Sequence, residues 1–165
     1  MSYLTTNLAD QKTNITFLKT TVTASQDVTT SYALVEGGQV TYTPTSSGAD
    51  IVLEFTTAYG RKDPDNSIMF RVQIGDTVGT LADVVTSNID YNNDFGTTTT
   101  SNTTGLSDLI TLKYRLDGWT GAKVLQIQCK TYNSSASLES IVNGTRKTTS
   151  DSILLFNPFL MIYEI

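Results

Sequence analysis

The residues of this chain that could do chemistry are few and far apart. Histidine is absent, which removes Ser-His-Asp and Cys-His catalysis, histidine metal sites and histidine pH switching together. The one cysteine, Cys129, cannot close an internal disulfide. It falls in phase with Leu125 and Ile127, so it reads as a buried, inert thiol rather than a nucleophile. In DYNNDFG, Asp90, Asn92 and Asp94 stand two apart and offer the hard oxygens that calcium takes. Gly96, however, comes one residue late for an EF-hand loop, and Ser101 stands where its bidentate Glu belongs, so a solvated turn is the stronger reading. Asp63 and Asp65 in DPDN are likewise ordinary turn residues. Glycoside hydrolysis needs two carboxyl groups held across a cleft, whereas Glu36, Glu54, Glu139 and Glu164 sit on different elements with no sign of convergence. Trp119, in LDGWTG, is either a local plug or a partner contact, and Trp119 with Tyr91 is the pair through which a sugar would be held. No catalytic residue, cofactor or metal follows from these residues.

The elements that must position any site are strands. Threonine accounts for 29 of 165 residues, beside 8 Tyr and many Val and Ile, all of which suit a pleated sheet. Only 16% of residues are charged against 39% hydrophobic, and the net charge is -5, so there is no basic surface for phosphates or anionic lipid. Neither nucleic acid nor membrane is an expected partner. The start, MSYLTTNLADQKTN, lacks the order of a secretory signal, and no apolar run reaches the roughly 18 residues of a membrane span. The four N-x-[ST] sequons, at Asn14, Asn102, Asn133 and Asn143, are no more than a Thr-rich chain yields by chance.

Period-two alternation marks the strands. Residues 14–24 and 28–35 read as strands, with Gly37-Gly38 turning the chain into 39–43, and Pro44 to Gly48 forming a loop. Ile51, Leu53 and Phe55 share one face, with Glu54 and Thr56 on a wet one. Ile68, Phe70, Val72 and Ile74 alternate against Met69, Arg71 and Gln73. Ile110, Leu112, Tyr114 and Leu116 repeat the pattern, as do Leu125, Ile127 and Cys129. Residues 76–107 are expected to make a long polar surface excursion. The end, SILLFNPFLMIYEI, does not alternate, so a strand there must be covered on both sides; one cover is the domain's own sandwich, and the other is expected to be a neighbouring subunit. The fold expected is all-β, a single antiparallel two-sheet sandwich of jelly-roll type over 14–165 behind an N-terminal arm, 1–13.

The succession QVTYTPTSSGADIVLEFTTAYG, IMFRVQIG, LKYRLDGWTGAKVLQIQCKTYN and FLMIYEI resembles the small jelly-roll proteins of tailed-phage virions related to the C1q and tumour-necrosis-factor domains. The resemblance spans residues 39–165 and leaves 76–107 unmatched. It implies a homotrimer whose C-terminal strands meet near the axis, with Phe159, Met161 and Tyr163 inward or axial, Phe156 joining them at the trimer interface, and Leu160 and Ile162 on the other face. It also implies a capsid decoration or cement protein, made in the host cytoplasm and bound to the outer surface of the head. Its partner would be the major capsid protein or another virion subunit, contacted through Tyr3, Leu4 and Leu8 of the arm. The other function class is a tail-fibre or spike head that binds a host-surface glycan. The short segment before the first strand favours decoration.

Overall fold

The structure, a computed structural model, describes residues 12–46, 48–61, 68–84, 106–131, 140–146 and 153–165. The strands among these residues are β1 (Thr13–Lys19), β2 (Gln26–Asp27), β3 (Ala33–Tyr42), β4 (Ile51–Arg61), β5 (Ile68–Gly75), β6 (Ala82–Asp83), β7 (Leu106–Leu116), β8 (Lys123–Thr131), β9 (Ser140–Val142), β10 (Gly144–Arg146), β11 (Ile153–Leu155) and β12 (Phe159–Glu164). Among the described residues the only helical piece is a 3-10 turn, Val78–Thr80.

Two antiparallel sheets face each other. In the first, β1, β12 and β4 lie side by side, and β7 runs along the far edge of β4. Beyond the end of β12, the same edge of β4 pairs β9, which pairs β2. The second sheet has the order β3-β8-β5-β6. A separate hairpin joins β10 to β11. The core between the sheets is built from the inward positions of both, including Leu53 and Phe55 of β4, Phe70 and Val72 of β5, Leu112 and Tyr114 of β7, Leu125 and Ile127 of β8, and Leu160 and Ile162 of β12. The alternation read for β5, β7 and β8 therefore holds, and Cys129 is buried with Leu125 and Ile127.

Several expectations fail for identifiable reasons, and the strand expected over 14–24 ends at Lys19. Gly37-Gly38 does not turn the chain: β3 runs straight through it, and the register against β8 slips between Leu34 and Gln39. The pair is a bulge. Gly37 takes φ +82°, and a Cβ there would lie 2.8 Å from Pro158 and 2.9 Å from Thr20. Only glycine combines that dihedral with that closeness. Secondly, the expected strand at 28–35 is mostly an irregular connection, with β3 starting at Ala33. Thirdly, the outer face of β4 is wet only at Glu54. Val52, Thr56 and Ala58 are buried because β4 is central, flanked by β12 and β7.

The C-terminal segment is two strands rather than one. Asn157-Pro158 interrupts it: the Asn157 side chain accepts the Val22 amide at 3.0 Å, and the Pro158 carbonyl accepts the Thr20 amide at 3.0 Å. β11 carries three exposed aliphatic residues, while β12 is an interior strand. Phe55, wholly buried at the centre of β4, is the clearest stability test. Phe55→Ala should cost about 3–5 kcal/mol in urea unfolding, whereas Thr41→Ala, exposed on β3, should change stability by less than about 0.5 kcal/mol.

Candidate functional site

The outer face of the first sheet is where the sequence placed an interface, and its residues follow from register. Met161 lies between Phe17 of β1 and Glu54 of β4, and Phe159 lies between Lys19 and Thr56. Leu160 and Ile162 point the other way and are fully buried in the core, which is the division of faces expected for FLMIYEI. Phe159 and Met161 are half-buried. Phe17 is 58% and Ile15 54% exposed. The rings of Phe17 and Phe159 touch with centroids 5.8 Å apart. An exposed phenylalanine packed on a half-buried one makes an apolar patch that no described residue covers.

Sequence reading missed Ile15 and Phe17 as members of this patch. The signal was present in NITFLK, where Ile15 and Phe17 alternate with Thr16. It was hidden because alternation says which residues share a face, and only the placement of β1 at the sheet edge says that the face stays open.

Tyr163 departs from the expectation. It is only 2% exposed, its hydroxyl donates to the Glu54 carboxylate at 2.6 Å, and the Lys12 ammonium stands 4.3 Å over its ring. The residue is consumed within its own chain. Glu54 also pairs with Lys113 at 3.1 Å and with Lys12 at 3.9 Å. Burial pushes the Glu54 carboxyl up, but the hydrogen bonds from Tyr163 and Lys113 and the two ammonium charges outweigh it and hold the carboxyl below its ordinary value. Phe156 also departs: it lies in the connection between β11 and β12, its amide donating to the Asn143 carbonyl at 3.0 Å, and does not belong to the β12 strand.

The opposite outer face, on the second sheet, is polar and internally satisfied. Gln126 donates to Gln39 at 2.7 Å, Gln128 to Gln126 at 3.2 Å, and Arg71 to Gln128 at 2.7 and 2.9 Å. Arg71 also reaches Asp83, which accepts from Gln73. Tyr32 lies beneath two cations, with Arg71 at 4.0 Å and Lys130 at 4.6 Å from its ring centroid. These contacts tie four strands together across one face.

Trp119 proves to be a plug. It packs on the core and meets Tyr42 edge to face, with centroids 6.2 Å apart, so it does not stand as an exposed sugar platform. Burial pushes the Cys129 thiol up to about 12, which leaves no thiolate at neutral pH. Tyr91, Tyr3, Leu4, Leu8, Asp90, Asn92, Asp94, Asp63 and Asp65 lie outside the described residues.

No protein-family model matches the chain, and no curated protein matches it. The Tyr163–Glu54 hydrogen bond beside the patch can be tested directly. Tyr163→Phe removes one donor to Glu54 and should destabilise the fold by about 1 kcal/mol at pH 7. Because the Glu54 carboxyl is held down in the folded chain, the stability it adds is complete above the ordinary carboxylate range and is lost as pH falls through the lowered value. The Tyr163→Phe penalty should shrink correspondingly when unfolding is measured at pH 3.

Proposed function

We propose that this protein works by binding and not by catalysis, as a homotrimeric jelly-roll structural protein of a tailed-phage virion that decorates and stabilises the head shell. The observation that carries the self-association reading is the apolar patch of Ile15, Phe17, Phe159 and Met161, exposed at β1 and half-buried at β12, on the face formed where the C-terminal strand β12 lies beside β1. A patch of this kind, rimmed by polar groups, is what a subunit interface requires. The expected role of Tyr163 at the interface passes to Phe17 and Ile15.

The winding of the chain supports the jelly-roll part. From β3 to β4, from β4 to β5, from β6 to β7 and from β7 to β8, the chain changes sheet at each step. Antiparallel rows β1-β12-β4-β7 and β3-β8-β5-β6 are the double-sheet arrangement of such folds. The virion part rests on the family resemblance over residues 39–165. The alternative of a glycan-binding head loses the support of Trp119, which is spent on the core.

In such an assembly the mechanism is multivalent adhesion. Three linked copies multiply weak contacts to the shell, and the area they bury opposes its expansion. Light scattering on the purified chain should give about three times the 18.0 kDa monomer mass. Phe17→Asp should raise the dissociation constant of the trimer at least about tenfold with unchanged circular dichroism, because Phe17 is exposed in the single chain. A wild-type monomer at micromolar concentration overturns the self-association reading. Counting copies in purified particles separates the two virion locations: hundreds indicate the shell, and a few dozen indicate the tail.

A further inference from the structure

The core-facing positions of β12 run Leu160, Ile162, Glu164, so a carboxylate stands where a third apolar residue is expected. Glu164 is 0% exposed, and among the described residues no lysine or arginine pairs with it. It is held instead by donors from three directions. Asn14 Nδ2 donates to Oε1 at 2.6 Å, the Thr45 amide to Oε1 at 2.6 Å, the Ser46 amide to Oε2 at 2.9 Å, and the Thr45 hydroxyl to Oε1 at 3.1 Å. The Tyr42 hydroxyl lies 3.3 Å from Oε1 and donates to the Asn14 carbonyl at 2.7 Å. The Asn14 side-chain amide and the Thr45 and Ser46 backbone amides can only donate, so both carboxylate oxygens are met by obligate donors, which favours the ionised acid.

The arrangement is also local to one strand end. Asn14 has φ +46° and lies in the register slip between Thr13 and Thr16 of β1, where the ladder to β12 is interrupted. Among the described residues β1 pairs with no strand but β12. At its N-terminal end, therefore, the side-chain bonds of Asn14 to Glu164 and to the Thr43 carbonyl stand in for missing ladder bonds.

We propose that Glu164 is a charge-dependent latch for β1: its carboxylate holds the strand to the sheet, and uptake of a proton frees β1 together with Ile15 and Phe17. The consequence for association rests on the self-association reading above; the release of β1 does not. Glu164 is the one acid in direct contact with Asn14 and the 43–46 loop; Glu54, the other acid near β1, acts through Lys12 and Tyr163, so Asn14→Gly separates the two. Tyr42 from β3, pushed up to about 12 by burial and by Glu164, stays a neutral donor. The 43–46 loop brings no charge. Across the neighbouring strands, Lys12 is engaged with Glu54 and the Tyr163 ring, Lys113 with Glu54, and Asp50 with Arg115. Burial pushes Glu164 up, but the hydrogen bonds from Thr45, Asn14 and Ser46 prevail and hold it at about 2, against an ordinary 4.5. The latch is thus complete above pH 4.5 and is lost progressively as pH falls toward 2.

Hydrogen exchange on the full chain, corrected for intrinsic rates, reads the latch directly through peptides covering β1, β5 and β8. In the wild type, going from pH 7 to pH 3 should lower protection in β1 about tenfold, while β5 and β8 hold within about twofold. Asn14→Gly keeps the positive φ but removes the donor, and Glu164→Gln removes the charge. Each should lower β1 protection already at pH 7. If Glu164→Gln fails to fold, Asn14→Gly and the wild-type pH series decide. Unchanged β1 protection in Asn14→Gly, or equal losses in β1, β5 and β8, overturns the latch. Light scattering on the same samples keeps the two readings apart. A wild-type monomer refutes self-association and leaves the exchange result to judge the latch, whereas a trimer that dissociates as β1 loosens supports both.

Discussion

The sandwich depends on the seating of its last strand. β12 occupies the slot between β1 and β4, so two neighbours that are remote in sequence are joined only when residues 159–164 are in place. Leu160 and Ile162 then complete the core from the first sheet, and Glu164 gathers Asn14 and the 43–46 loop around one carboxylate. The Asn14 to Glu164 bond spans 150 residues. Contacts of such separation reward the chain only after most of the loop entropy has been spent, which makes folding of this topology late and concerted. The first strand has no partner among the described residues until the last one docks.

Alternation carried the interior of the sandwich well, because β5, β7 and β8 each bury one face and the period of a strand leaves no other assignment. What alternation could not carry are the places where backbone geometry or a tertiary partner overrides it. Gly37-Gly38 has the composition of a turn, yet it serves a bulge that lets Pro158 and Thr20 approach β3. SILLFNPFLMIYEI reads as one apolar run, yet Asn157 and Pro158 are tied to the segment after β1 and split it. Glu164 has the look of a polar terminus and is among the most buried side chains of the molecule. Its partners, Asn14, Thr45 and Ser46, are residues that any loop contains, and their convergence exists only in three dimensions. Sequence alone does not separate plug from contact at Trp119 for the same reason, since the ring of Tyr42 that receives it is on another element.

The two outer faces divide the labour of the molecule. The face of the second sheet spends its amides, its guanidinium and its carboxylates on one another, so little remains unsatisfied there to recruit a partner. The face of the first sheet keeps aromatic and aliphatic surface exposed at β1 and half-exposed at β12.

An apolar patch alone would bind in many orientations, since burial of apolar surface is non-directional. Here a charged group adjoins it. Glu54 sits beside Met161 in register and is already fixed by Tyr163, Lys113 and Lys12. A neighbour that covers Phe17 and Phe159 must therefore leave this group solvated or meet it with matching donors, because stripping water from an ion pair without replacing its hydrogen bonds is costly. The same contacts that hold Tyr163 within its own chain would thus narrow the set of poses open to a second chain. Apolar area supplies attraction, and the fixed charges beside it supply register.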